Sequence, residues 1–203
     1  MASLIDQVGA CTMTVHALPP YEALVQSIVY QQLNGRAAAT ILGRVLAIYA
    51  PKAFPDPQDV LATDDAILRA AGLSRAKTLA VKSLAEHALK GVVPTRAQAA
   101  RLPNDVLIER LTQVRGIGRW TVEMFLIFGL GRPDVWPILD FGVRKGLGLT
   151  FGKRGIPTAK QALPYFRKFS PYSSVAAWYF WRACELPPKV TARTPRAAKT
   201  RPR

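Results

Sequence analysis

The chain has 203 residues, enough for one large domain or two small lobes. Apolar residues make up 49%, so a packed core is available, and the net charge of +15 points to a polyanion partner. The composition argues against several classes. There is no 18-residue apolar run and no basic region before a leader, so a soluble, intracellular (cytoplasmic) protein with no membrane partner is expected. Two cysteines, Cys11 and Cys184, cannot hold an iron–sulfur cluster, and two histidines, His16 and His87, lack zinc-ligand spacing. Residues 187–203 carry Lys189, Arg193, Arg196, Lys199, Arg201 and Arg203 and no acid. They are expected to form a disordered basic tail, and the body without their six charges is still +9.

In chain order the pattern is helical nearly throughout. About 18 residues precede Pro19-Pro20. Tyr21 to Asn34 reads as a helix that Gly35 breaks. Arg36 to Tyr49 follows, with Ala38, Ile41, Leu42, Val45, Leu46 and Tyr49 along one face. Pro51, Pro55 and Pro57 mark a loop. Thr63-Asp64-Asp65 caps a short helix ending at Gly72, and Arg75 to Leu89 is amphipathic. Asn104 is placed to cap a helix running to about Gln113. A second helix runs from Arg119 to about Leu130, then a Pro-rich loop leads to Asp140, at the N-cap of a helix over 141–149. Thr158–Phe169 and Ser173–Glu185 complete an all-α chain without alternating strand patterns or internal repeats.

Between two of these helices lies Val114-Arg115-Gly116-Ile117-Gly118-Arg119-Trp120-Thr121. Glycine readily adopts positive φ and lets another backbone come close. The helix that follows presents unpaired amides and a positive dipole end, a phosphate site made of main chain. Asp140 follows one helix and one loop later. A lone aspartate there is most simply a cap, and a Gly-Ile-Gly turn alone is most simply a tight helix–helix turn.

The wider segment, with Asp134-Val135-Trp136-Pro137 and Asp140-Phe141-Gly142-Val143-Arg144-Lys145, resembles the helix-hairpin-helix, Gly/Pro-Asp superfamily of base-excision DNA glycosylases. Within it the resemblance is to the 3-methyladenine DNA glycosylase II branch. Tyr21–Leu33 and Ala71-Gly72-Leu73-Ser74-Arg75-Ala76-Lys77 extend it, so that it spans about residues 20–185 of a glycosylase domain over 1–186, with the hairpin at about 104–130.

The resemblance implies two helical lobes flanking a DNA-binding cleft. The extra N-terminal α+β domain of some relatives has no room before Tyr21, and the short N-terminal segment is expected to return onto the C-terminal helices. The implied partner is double-stranded DNA with a damaged base, bound by a monomer. The implied reaction is hydrolysis of the N-glycosidic bond of alkylated bases (3-methyladenine, 7-methylguanine, and ethenoadenine as a bulkier case) after base flipping. Another lesion class on the same fold, deaminated or oxidised bases, and a non-catalytic hairpin module are the competing readings.

Residue by residue, Asp140 is the implied catalytic carboxylate, which stabilises positive charge developing on the sugar. Trp120 stands where bifunctional relatives carry a Schiff-base lysine, so the implied enzyme is monofunctional and leaves an abasic site. Trp120, Met124, Phe169 and Tyr172 are the implied base pocket, with Met124 in place of a family tyrosine. Trp178 and Trp181 are assigned to the core. Arg115, Gly116, Gly118, Arg119 and Thr121 are the implied backbone grip. Gln32, or alternatively Leu33, is the implied plug for the gap left by base flipping. No cofactor is required. The carbonyls of Thr112, Val114 and Ile117 are the implied ligands of a monovalent cation, sodium or potassium. Asp134 is expected to brace its loop.

Overall fold

The structure, a computed structural model, describes residues 1–187; the expected basic tail lies outside the described residues apart from Pro187. Among them every regular element is helical: α1 (Ala2–Val8), α2 (Pro20–Tyr30), α3 (Gly35–Ala47), α4 (Pro57–Ala62), α5 (Asp65–Ala70), α6 (Arg75–Leu89), α7 (Arg96–Arg101), α8 (Asn104–Leu111), α9 (Arg119–Met124), α10 (Phe141–Thr150), α11 (Ala159–Phe169) and α12 (Ser173–Ala183). α9 runs straight into one π turn, Phe125–Gly129.

Local chemistry sets most of the boundaries. Asn34 accepts from Ala37 N at the start of α3, Asp64 from Ala66 N at α5, and Ser74 from Lys77 N at α6. Thr95 with Gln98 and Thr158 with Gln161 form reciprocal capping boxes for α7 and α11. Pro20 and Pro57 open α2 and α4, where a missing N–H costs nothing. Two expectations fail here. The Pro-rich stretch is loop only as far as Asp56, because Pro57 initiates α4. Asn104 does not cap α8. Its side chain is drawn away to the Asp134 carbonyl at 3.0 Å and to Arg132 Nη1, tying the loop after α9 to the base of α8.

Two apolar clusters define two lobes. The first draws Leu24, Ile28, Leu68, Leu84, Leu107, Leu111 and Leu126 from α2 to the π turn. The second holds Val143, Leu147, Phe166, Trp178 and Phe180 from α10–α12, together with Leu4 of α1. The N-terminus thus returns to the C-terminal helices, and Tyr179 Oη donates to the Gly9 carbonyl at 2.9 Å. Met13 and Trp181 pack against both clusters and mark the seam.

Within the second lobe α10 and α12 cross at backbone contact. A Cβ on Gly146 would lie 1.8 Å from the Phe180 carbonyl oxygen, so only glycine permits this approach. That crossing matters because α10 begins at Asp140 and α12 carries Trp181.

Candidate active site

Asp140 is the N-cap of α10, and its Oδ1 accepts from Val143 N at 2.7 Å. A cap alone would be unremarkable, but two further donors arrive from opposite lobes. Trp120 Nε1, at the first turn of α9, donates to Oδ2 at 2.7 Å. Trp181 Nε1, near the end of α12, donates to Oδ1 at 2.9 Å. Oδ1 therefore has both lone pairs engaged, whereas Oδ2 keeps one free. The half-buried carboxylate is oriented by three neutral N–H groups, and none of its hydrogen bonds comes from a cationic side chain.

A cleft of about 810 Å³ opens between the strap Val15–Leu18, α2 and the end of α9. That strap, the α2 residues Gln26, Ser27 and Tyr30, and Met124, Phe125 and Phe128 wall it. The Phe128 ring leans on Trp181 at 5.7 Å between centroids, which joins the cleft to the carboxylate assembly. The π turn brings Phe125, Phe128 and Gly129 to this wall together; such turns recur at functional sites because the extra residue re-aims side chains. A Cβ on Gly129 would sit 2.6 Å from the Phe125 ring.

The hairpin 112–118 packs on α6. Gly116 has φ +81, and an added Cβ would lie 2.8 Å from the Ala80 Cβ, so glycine is required twice over. Gly118 differs: its φ is −91 and nothing lies within 4 Å of an added Cβ. Glycine there is not demanded by the fold. It leaves the amide end of α9 bare. The same side of the molecule carries the turn after α2, where Gln32 has φ +58 and both Gln32 and Leu33 are exposed. That turn is bolted down from beneath. Gln31 Nε2 donates to the Gly116 carbonyl at 2.9 Å, and Lys77 Nζ donates to the carbonyls of Val29 and Gln31, both at 2.7 Å. Burial lowers the Lys77 pKa from its ordinary value.

The remaining expected site residues separate into groups. Arg115 and Arg119 are exposed on the hairpin face, whereas Thr121 is buried and presents no side chain to the surface. Of the four expected pocket residues Met124 alone is among those lining the cleft: Trp120 is held on Asp140, Tyr172 stands exposed immediately before α12, and Phe169 is turned away. Phe169 packs against Phe180 and Phe151 at 5.8 and 6.5 Å, because α11 turns its apolar face into the second cluster. Trp181, assigned to the core from its helical setting, does pack there but also holds the carboxylate. Asp134 braces its loop as expected, receiving Trp136 Nε1, Ser170 Oγ and Ser173 N. Burial alone would raise its pKa, but these donors outweigh it and hold the carboxyl below its usual range. Among the described residues no group of three His, Cys, Asp or Glu side chains gathers as a metal site.

Residues 25–171 match the family of HhH-GPD superfamily base excision DNA repair proteins. The chain is 42% identical over 167 residues to DNA-3-methyladenine glycosylase 1 of Schizosaccharomyces pombe, covering 82% of this chain and 73% of that protein. Among solved structures it is similar to the S. pombe 3-methyladenine DNA glycosylase Mag1 in complex with abasic DNA, with TM-score 0.80, 40% identity and 91% of each chain covered. It is also similar to a DNA-3-methyladenine glycosidase of Bacillus halodurans, with TM-score 0.80, 34% identity, and 90% of this chain and 82% of that one covered. A carboxylate at the lobe seam, a glycine hairpin and a family match over most of the chain agree: this protein belongs to the HhH-GPD superfamily of base excision DNA repair proteins.

Proposed function

We propose that this protein is a monofunctional DNA glycosylase that hydrolyses the N-glycosidic bond of alkylated bases, chiefly 3-methyladenine and 7-methylguanine, and leaves an abasic site. The observation that carries this reading is the Asp140 carboxylate, fixed by Trp120, Trp181 and Val143 and linked to an apolar cleft through the Phe128–Trp181 ring contact.

In this mechanism the hairpin amides around Gly116 and Gly118 and the exposed Arg115 and Arg119 hold the DNA backbone as a monomer does, without reading sequence. Gln32 or Leu33, on the braced turn, fills the space of the extruded nucleotide. The base enters the cleft against Trp120 and Met124. As the bond to C1′ stretches, positive charge develops on the sugar and the free lone pair of Asp140 Oδ2 faces it. Ring methylation makes the base a cationic leaving group that departs without a general acid. The electron-rich faces of Trp120 and Phe128 favour such a base by about 1–2 kcal/mol. Arginine is too strong a base to replace the lysine that strand-cutting chemistry needs, so the strand stays intact.

The hairpin carbonyls also suit a hard monovalent cation. The Val114 carbonyl accepts Ile117 N at 3.1 Å, and those of Thr112 and Ile117 accept no backbone hydrogen bond among the described residues, so the set offers oxygen donors alone. Replacing potassium by tetramethylammonium at constant ionic strength is expected to weaken DNA binding. Unchanged affinity removes the cation from the mechanism.

The deciding experiment is mass spectrometry of bases released from methylated, etheno-treated, deaminated and oxidised DNA. Release of methylated purines supports the reading. Release of deaminated or oxidised bases alone, or binding without release, overturns it.

A further inference from the structure

Glu123 lies one turn into α9 and is 1% exposed, yet it is a carboxyl group. Its Oε1 accepts from Arg119 Nε at 2.8 Å, while Oε2 is buried with no partner. A buried acid with one bare oxygen is costly to keep, since burying a charge without full hydrogen bonding is among the most unfavourable things a fold does. Its only ion-pair partner among the described residues is 56% exposed, so the pair itself returns little stability. Folding therefore does not account for this residue.

Its position does. Arg119 immediately precedes Trp120, whose indole holds Asp140. Burial pushes the Glu123 carboxyl above its ordinary range, Arg119 on its own helix opposes that, and the Asp140 charge at the cap of α10 adds to it. Glu123 and Asp140 thus lie close enough to repel each other, and Arg119, which pairs with Glu123, adjoins the residue that holds Asp140. Glu123 holds Arg119 at 2.8 Å, and the hydrogen bonds of Asp140 come instead from neutral indoles and an amide.

We propose that Glu123 is a positioning and specificity-determining residue: by clamping Arg119 and cancelling its charge, it keeps Asp140 unneutralised and the site net negative, and so selects cationic bases over neutral ones. This rests on the glycosylase reading above. A base alkylated on a ring nitrogen carries +1, whereas an etheno or deaminated base is neutral. Deleting the Glu123 charge leaves Arg119 uncancelled, which opposes a cationic base both on entry and as its charge passes to the sugar. A neutral base feels only the second effect, partly offset by the negative charge its departing ring acquires.

The test is single-turnover excision of 7-methylguanine and of ethenoadenine by the wild type, Glu123→Gln and the double variant Glu123→Gln/Arg119→Met. Glu123→Gln is expected to lower the 7-methylguanine rate about tenfold more than the ethenoadenine rate, the effect of ~1.4 kcal/mol. The double variant also loses a DNA-backbone contact of Arg119, so it is assayed at saturating enzyme; there it should restore the wild-type ratio, because both charges are gone. Glu123→Met serves as a second probe, removing the charge and the bare oxygen together while the Arg119 left behind is 56% exposed and keeps its solvation; its melting temperature is measured beside its rates, and it must show the same ratio change. Equal losses on the two bases, or a ratio the double variant fails to restore, would reduce Glu123 to a structural residue and overturn the proposal. Wild-type protein that released neither base would overturn the glycosylase reading and this inference together.

Discussion

Trp181 and Asp140, 41 residues apart in sequence, are joined by a 2.9 Å hydrogen bond that ties the last helix of the second lobe to the cap of α10. Trp181→Phe keeps most of the ring's packing and removes only the donor. The excision rate is expected to fall by about tenfold or more, the scale of losing one preorganised donor at a charged centre, with DNA affinity nearly unchanged. Single-turnover rates beside binding isotherms check this; an equal loss in both would make Trp181 a packing residue only.

Asp140→Asn keeps the cap geometry but removes the charge. Base release should be abolished while DNA binding survives. Fluorescence anisotropy and base-release assays on the same preparation separate the two. Retention of full excision by the variant would refute the proposed chemistry.

The α10–α12 crossing gives a stability prediction. Gly146→Ala places a methyl into the Phe180 carbonyl and should destabilise by about 1–3 kcal/mol or more. Gly43→Ala in α3, where nothing lies within 4 Å of the added atom, should instead stabilise by up to about 1 kcal/mol. Urea denaturation of both variants reads the contrast. The Gly146 change should also slow excision, because it moves α12 and with it Trp181.

The two hairpin glycines should part company in the same way. Gly116→Ala is strained by its φ and by Ala80, so it should lower both the melting temperature and DNA affinity. Gly118→Ala should leave the melting temperature alone and weaken binding to every sequence, by crowding the bare amides. A Gly118 variant with unchanged affinity would show that phosphate does not approach there.

Glu123 adds a pH signature. Burial raises its pKa from the ordinary carboxylate value. The folded state therefore keeps this proton over a window in which the unfolded chain has lost it, and stability falls as pH rises through that window. Glu123→Gln lacks the slope, so the stability difference should move in favour of the variant between acid and neutral pH. Thermal melts across that range test it; parallel curves for the two proteins would contradict it.

Much of this was legible locally. Asp140 at an N-cap, the glycine turn and the amphipathic face of α6 each rest on neighbours within a few residues, which is the range over which sequence pattern speaks. The helix α7 was missed, although Thr95-x-x-Gln98 carries the pattern of the capping box that opens it. What was not legible came from long range or from uniform composition. Phe125-Leu126-Ile127-Phe128-Gly129 gives no sign that one turn is π rather than α, because every position is apolar or glycine. Trp181 lies in an aromatic-rich helix that any core would welcome, and nothing nearby says that its N–H reaches Asp140. Phe169 shows the converse: near the site in chain order, it is turned into the core by the face that α11 buries.

The strap Val15–Leu18 walls one side of the cleft and belongs to neither apolar cluster. It is held mainly through the main chain, with His16 N donating to the Phe128 carbonyl at 2.7 Å and the Leu18 carbonyl receiving Arg96. Side chains in such a segment can be exchanged without opening a cavity in either core. On the proposed function, the range of bases admitted is thereby separated from the durability of the scaffold. A repair protein built this way can be retuned toward new lesions along four consecutive positions while its lobes, hairpin and carboxylate stay as they are.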